Sequence, residues 1–289
     1  MSHPGLIATG ASRSLTRGKA ETGRLGRRAL KAMLATAELA AKRRPGPRIL
    51  IYHQVGANLG REMEVATEIF MRQLEYLEAQ GSIVTLEDAV SRIGQPGDNR
   101  LFVLTFDDGY ADIFLNALPL LLDRNIPFTL YLTTQPFEDS QASLSGASPL
   151  TWRQVAEMVE SGLATIGAHT HSHPDLRFLG SDEVAAELDM SNTLIQDRLG
   201  VDPRHFAYPK GWWSAGAELE VRKRYTTAVL GEGPPNTSGT EHFRLHRVAV
   251  QKSDGFRFFK RKLDTGLVLE DRLRRVVRRY EGPPDVGDP

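Results

Sequence analysis

Cysteine is absent from all 289 residues. That removes disulfides, cysteine-ligated zinc, iron–sulfur clusters and thiol catalysis from consideration. Net charge is absent too, because 36 Lys and Arg balance 36 Asp and Glu. The molecule as a whole therefore offers no case for nucleic acid or another polyanion as its partner. No apolar run reaches the length of a spanning helix. No glycine-rich phosphate loop follows the first strand-like segment, and no G-x-S-x-G elbow occurs. These two absences count against a nucleotide fold and against a serine hydrolase.

What charge there is lies unevenly. Residues 1–49 hold eleven Lys and Arg against two Asp and Glu. We read residues 1–47 as a basic extension whose first 24 residues, rich in Gly, Ser, Thr and Arg, lack order. The run ALKAMLATAELAA at 29–41 follows two arginines, the basic-then-apolar order of a signal peptide. Lys31 and Glu38 interrupt it and KRR follows at 42–44, so the expectation is a loose basic amphipathic helix able to touch an anionic membrane. At the other end, residues 267–289 read as a basic helix at 268–282 and a loose tail. These features favour a cytoplasmic or peripheral inner-membrane location over secretion.

Residues 48–266 carry an alternating pattern. ILIYHQV (49–55), LFVLTF (101–106), PFTLYLT (127–133), ATIGAHT (164–170), HFAYPKG (205–211), TTAVLG (226–231) and FRLHRVAV (243–250) read as strands. Helical spacing fills the gaps at 64–79, 111–125, 151–162, 181–200 and 215–225, and SIVTLEDAVSRI at 82–93 reads as a short strand followed by a helix that Thr85 would cap. Strand–helix alternation predicts an α/β fold with a parallel sheet, here a distorted (β/α) barrel of about seven strands. The polar clusters fall at strand C-terminal ends, where barrel active sites are built.

Two of those clusters carry chemistry. TFDDGYAD at 105–112 sets two carboxylates side by side after a buried strand, and neither can be buried without a partner. GAHTHSHPDL at 167–176 places His169 and His173 four residues apart, with His171 between them. Imidazoles and a carboxylate suit Zn²⁺ and tolerate other first-row divalent ions. One Asp would bind the ion and the other would take a proton from water. Alone, a DD pair is more often a helix cap or a solvated loop. Two such clusters at the strand ends of one αβ series make a metal site the better reading.

TFDDG, HTHSHPDL and FAYPKG together resemble the polysaccharide deacetylase family, the NodB-homology or carbohydrate esterase 4 family, in its exopolysaccharide-associated branch. The resemblance spans roughly residues 48–250. It implies a barrel that uses one divalent metal ion, with zinc favoured, to remove acetyl groups from amino-sugar polymers or oligomers. Carried over, Asp107 is the general base, Asp108, His169 and His173 are the metal ligands, Thr170 supports their loop, and His171 is a neighbour that could exchange roles with His169. The stretch Ala207-Tyr208-Pro209-Lys210 lacks the arginine that orients the base in many members, and Lys210 offers its backbone N–H to an oxyanion. Tyr208, Trp212, Trp213 and His53 are candidate substrate contacts, and His53 could instead orient Asp107. The family's last motif carries a histidine acid whose usual form is missing here. His246 is the nearest candidate, with His242 behind it. An O-acetyl esterase on the same site and a silent sugar-binding barrel are the rival readings. The complete Asp107, Asp108, His169 and His173 set argues against the latter.

Overall fold

The computed structural model describes residues 45–139 and 147–265. The basic terminal segments expected at 29–41 and 268–282 lie outside the described residues. Among the described residues no helix is long and apolar enough to cross a membrane.

Among the described residues ten strands occur in chain order: β1 Arg48–Tyr52, β2 Gln54–Val55, β3 Glu64–Val65, β4 Ser82–Ile83, β5 Leu101–Phe106, β6 Phe128–Leu132, β7 Ala164–Ala168, β8 His205–Ala207, β9 Thr227–Glu232 and β10 Leu245–Ala249. The order β1-β10-β9-β8-β7-β6-β5 closes through a β1–β5 pairing into a seven-strand ring, and every pairing in it is parallel. β4 adds a short rung beside β5, and β2 pairs β3 at the rim. The barrel expected from the strand–helix rhythm is thus the barrel found.

The helices are α1 Thr67–Gln80, α2 Leu86–Ser91, α3 Leu118–Asp123, α4 Gln135–Glu138, α5 Trp152–Glu160, α6 Ser181–Leu199, α7 Ala215–Arg224 and α8 Phe256–Thr265. Local chemistry sets several of their ends. Thr85 caps α2 through the Asp88 N–H, Thr151 and Gln154 form a capping box on α5, and Ser214 caps α7. Gly200 ends α6 in the left-handed region.

Strand alternation sorts the side chains into two layers. One set, including Phe102, Leu104, Phe106, Leu130, Ile166 and Phe206, packs outward under the helices. The other, Ile49, Val103, Tyr131, Ala207, Val229 and Leu245, comes from six different strands of the ring. Residues from six strands meet only inside the barrel, so this cluster fills the interior, joined by Leu86 and Ala89 of α2.

Three expectations shift in detail. The first strand breaks at His53, between β1 and β2. Helix α1 starts at Thr67 because Glu64 and Val65 pair with Gln54 and Val55. The helix expected from 111 opens with a π-helical stretch, Ile113–Ala117.

Gly167 shows how tightly the interior is filled. A Cβ there would lie 2.5 Å from Tyr131 Cδ1 and 2.9 Å from the His205 carbonyl oxygen. Gly167→Ala should therefore lower stability by about 1–3 kcal/mol, the usual cost of overpacking. Urea unfolding checks this, and an unchanged midpoint would mean that the ring has room to move.

Candidate active site

The strand ends that carry the polar motifs meet at one mouth. β5 delivers Asp107 and Asp108, and β7 delivers His169 and the loop to His173. One Asp108 oxygen lies 3.6 Å from His169 Nε2 and 3.7 Å from His173 Nε2. Ligand atoms of these three residues all fall within 4.8 Å of one another. His171 stands outside the group, its Nδ1 2.9 Å from the Thr134 hydroxyl. Glu187 accepts from the His171 and Ser172 N–H groups at 3.0 and 2.8 Å and pins the loop. Thr170 accepts from the His173 N–H at 3.1 Å and donates to the His169 carbonyl, so it holds the turn between the two imidazoles.

The donor chemistry fits a divalent cation. His169 Nδ1 lies 2.7 Å from the Ala207 carbonyl, a partner that only an N–H can satisfy, so Nε2 keeps its lone pair toward Asp108. Burial pulls the His169 imidazole down to about 3, and it pulls His173 down as well, so both rings are neutral near pH 7. Asp108 Oδ1 is buried with no hydrogen-bond partner. Burial raises the Asp108 carboxyl, with neighbouring Asp107 adding to the rise. A buried carboxylate aimed at two imidazole lone pairs lacks a positive charge, which a metal ion held by these three groups would supply.

Asp107 has found its cation. Arg247, fully buried on β10, grips both of its oxygens at 2.7 Å. The same guanidinium donates to Thr105 Oγ1 at 3.1 Å and to the Leu230 carbonyl at 2.8 Å, and it lies 5.7 Å above the Tyr131 ring. Burial alone would raise Asp107, but Arg247 chiefly, with His169 and His53, holds it at about 2. Arg247 is not among the residues that the motifs single out. Its signal was there, since Leu245, Arg247 and Ala249 share the buried face of one strand, and a charge on that face needs a buried partner.

His246 does not join the site. With Arg247 turned inward, its neighbour faces out toward Pro47, Pro235 and Asn236. A Cβ on Gly233 would sit 2.0 Å from His246 Cδ2, and its backbone is tied to the Asn236 amide by two 2.8 Å hydrogen bonds. His242 is exposed just before β10, at the end of the strand remote from the mouth. The expectation of a proton donor at His246 is therefore corrected by strand alternation. Tyr208 is corrected on the same ground. It is fully buried in the outer layer, edge-on to Phe206 at 5.2 Å, and cannot meet a substrate. Trp213 also turns away, donating to Glu218 with Arg244 4.2 Å above its ring.

His53, Lys210 and Trp212 remain at the mouth. The His53 imidazole acts electrostatically on both Asp107 and Asp108, and its Nδ1 is buried without a partner. Lys210 sits in the left-handed region at φ 59°, and its charge is felt at His173. Trp212 lies between Arg177, 3.7 Å from its ring centroid, and Lys210, 5.6 Å away.

The chain is similar to proteins of known name and known structure. A family profile described as polysaccharide deacetylase matches residues 94–229. The Bacillus subtilis protein YxkH, which carries a polysaccharide deacetylase name, is 25% identical over 206 residues, 70% of each chain. The poly-beta-1,6-N-acetyl-D-glucosamine N-deacetylase of Staphylococcus epidermidis is 27% identical over 162 residues, 52% of this chain and 55% of that protein. The solved structure of IcaB from Ammonifex degensii superposes with a TM-score of 0.65 at 26% identity, covering 73% of this chain and 94% of that one.

The Asp107–Arg247 pair has a measurable signature. Because the folded value of Asp107, about 2, lies below its ordinary 3.8, the stability from this pair is complete above about pH 4 and lost as pH falls through about 2. Arg247→Met strands a buried carboxylate and should cost about 3–5 kcal/mol. It should also move the acid limb of the pH–rate curve to higher pH, because the cation that kept Asp107 ionised is gone. Arg247→Met combined with Asp107→Asn should regain part of the stability. An unmoved acid limb and an unchanged melting temperature would deny the pair its role.

Proposed function

The chain belongs to the polysaccharide deacetylase family, and from that membership we infer that it is a metal-dependent hydrolase removing N-acetyl groups from amino-sugar residues of a polymer or oligomer. The observation that carries the reading is the Asp108, His169 and His173 cluster beside an Asp107 that has its own separate cation. The name of the Staphylococcus epidermidis relative makes a β-1,6-linked N-acetylglucosamine oligomer the first substrate to try.

Asp108, His169 and His173 would hold one divalent ion, which we propose is zinc because two neutral imidazoles and one carboxylate suit it. When bound, such an ion supplies a Lewis acid for the acetyl carbonyl and lowers the pKa of an attacking water. Asp107 accepts the proton of that water. Its low pKa makes it a weak base, but one that is always ready, since Arg247 keeps it ionised across the working range. The Lys210 N–H, presented by the left-handed turn after Pro209, would donate to the developing oxyanion. Trp212 stands beside it as the remaining aromatic candidate for a sugar face. With His246 facing outward, His53 is the proton donor to the departing amine: it stands at the same mouth and its ring has no competing hydrogen bond. If no acid stood there, an O-acetyl ester would be the better substrate, because an alcohol leaves with less help. His53 removes that reason.

Protein purified without chelator should contain about one divalent ion per chain, and His173→Ala should lose most of it. Asp107→Asn should keep the ion while acetate release from the oligomer falls roughly 10²–10⁴-fold. Full metal retention in His173→Ala, or near-normal turnover in Asp107→Asn, would break the assignment.

The acid has its own test. His53→Ala should cut acetamide hydrolysis by about 10²-fold or more, and hydrolysis of an activated aryl acetate far less. Paired measurement of both substrates decides it, and equal small losses would return His53 to a packing role.

A further inference from the structure

TFDDGYAD ends in an aspartate that the chemistry above leaves unused. Asp112 is buried, at 9% exposure. Its Oδ1 accepts from the Val55 N–H at 2.7 Å and its Oδ2 from the Gln54 side-chain amide at 3.3 Å. Both donors belong to the two residues that directly follow His53. The next turn adds a second grip, with the Asn116 amide donating to the Val55 carbonyl at 2.8 Å. Gly56, at φ 69°, completes the clamp, since a Cβ there would lie 2.3 Å from Thr67 Oγ1 and 3.0 Å from Asn116 Nδ2.

His53 needs such a clamp. β1 ends at Tyr52 and β2 begins at Gln54, so His53 occupies the break between them. Its Nδ1 has no hydrogen-bond partner, and the usual second group that orients a catalytic imidazole is absent. The direction of the ring is therefore set by the backbone that carries it. That backbone is held from the segment that begins with Asp107 and Asp108. A carboxylate suits the task, because it accepts on both oxygens and binds an N–H more strongly than a neutral group.

We propose that Asp112 is a positioning residue for His53, fixing the chain after it so that the imidazole faces the Asp107–Asp108 pair. This rests on the reading of His53 as proton donor. Only the orientation of the donor depends on Asp112, and the metal cluster does not. The last aspartate of the motif thereby ties proton delivery to the segment after β5 that carries the base and one metal ligand.

The test uses the full-length enzyme with an N-acetylglucosamine oligomer and an activated aryl acetate. Asp112→Ala should lower acetamide hydrolysis by about 10–10²-fold, the scale of a misplaced catalytic group. It should lower aryl acetate hydrolysis much less and keep the metal content. In a His53→Ala background, Asp112→Ala should change acetamide turnover by less than about twofold, because its effect passes through a group already removed. Asp112→Asn retains an acceptor for the Val55 N–H and should lose less than Asp112→Ala, which keeps the question open to measurement should the alanine variant fold poorly. A loss that multiplies unchanged in the His53→Ala background would overturn the proposal. Equal losses on both substrates, or loss of the metal, would do the same. If His53→Ala leaves acetamide turnover intact, the donor assignment fails first, and the role of Asp112 falls with it.

Discussion

Two adjacent buried carboxylates cannot both stay ionised unless positive charge is divided between them, and the mouth of this barrel is arranged around that division. Asp107 receives a permanent cation from inside the barrel, the Arg247 guanidinium at 2.7 Å on both oxygens. Asp108 receives none from the protein and faces two neutral imidazoles instead. The difference follows from side-chain direction. One carboxylate points into the interior, where the burial of an arginine is eased because Thr105 and the Leu230 carbonyl take two more of its donors. The other points out at the mouth, where a mobile cation can arrive. The same pair of letters thus yields one carboxylate locked to a guanidinium and one left facing two imidazoles.

Holding these groups requires backbone that the barrel must enforce. Six described residues other than glycine have positive φ, and Asp108, Thr170, His173 and Lys210 are four of them, at 73°, 67°, 60° and 59°. Each such residue costs on the order of 1–3 kcal/mol and persists only where the surroundings over-determine it. Here the surroundings are parallel strands anchored on both faces by apolar layers. The strained residues sit just past the last pairing of each strand. The sheet fixes where the chain exits, and the short turn fixes where the side chain points.

The fold was largely legible because a period-two buried strand followed by a 3.6-period helix is a strong repeated signal. The cluster of Asp108, His169 and His173 was legible because the three residues lie within two short motifs, each at a strand end. His246 was misread for a physical reason. Lining up a histidine with a strand says nothing of which face it occupies, and one residue of offset reverses inside and outside. Leu245 and Ala249 flank Arg247 on the buried face, so the alternation FRLHRVAV already assigned the interior to the arginine and the exterior to the histidine. Tyr208 failed in the same way, as the outward neighbour of the inward Ala207. Trp213 could not have been placed from sequence, since its partners Glu218 and Arg244 arrive from separate elements.

Ring closure explains why two of the groups around Asp107, His53 and Arg247, lie outside the segment that the family profile covers. That segment, 94–229, holds Asp107, Asp108, His169, His173 and Lys210. His53 comes from the end of β1 and Arg247 from β10, the two strands that close the barrel on β5. Around the ring, β10, β1 and β5 are consecutive, and so are β7 and β8. The first arc carries Asp107 with Arg247 and His53, the groups whose charges act on it. The second carries the two imidazoles that face Asp108, and Lys210 in its left-handed turn. Asp108 belongs to the first arc by sequence and to the second by contact. A chain that kept the central motifs but left the ring open would retain the donors of a metal site and lose the arginine that keeps its base charged. Closing the barrel therefore sets the charge state of the site as well as completing the fold.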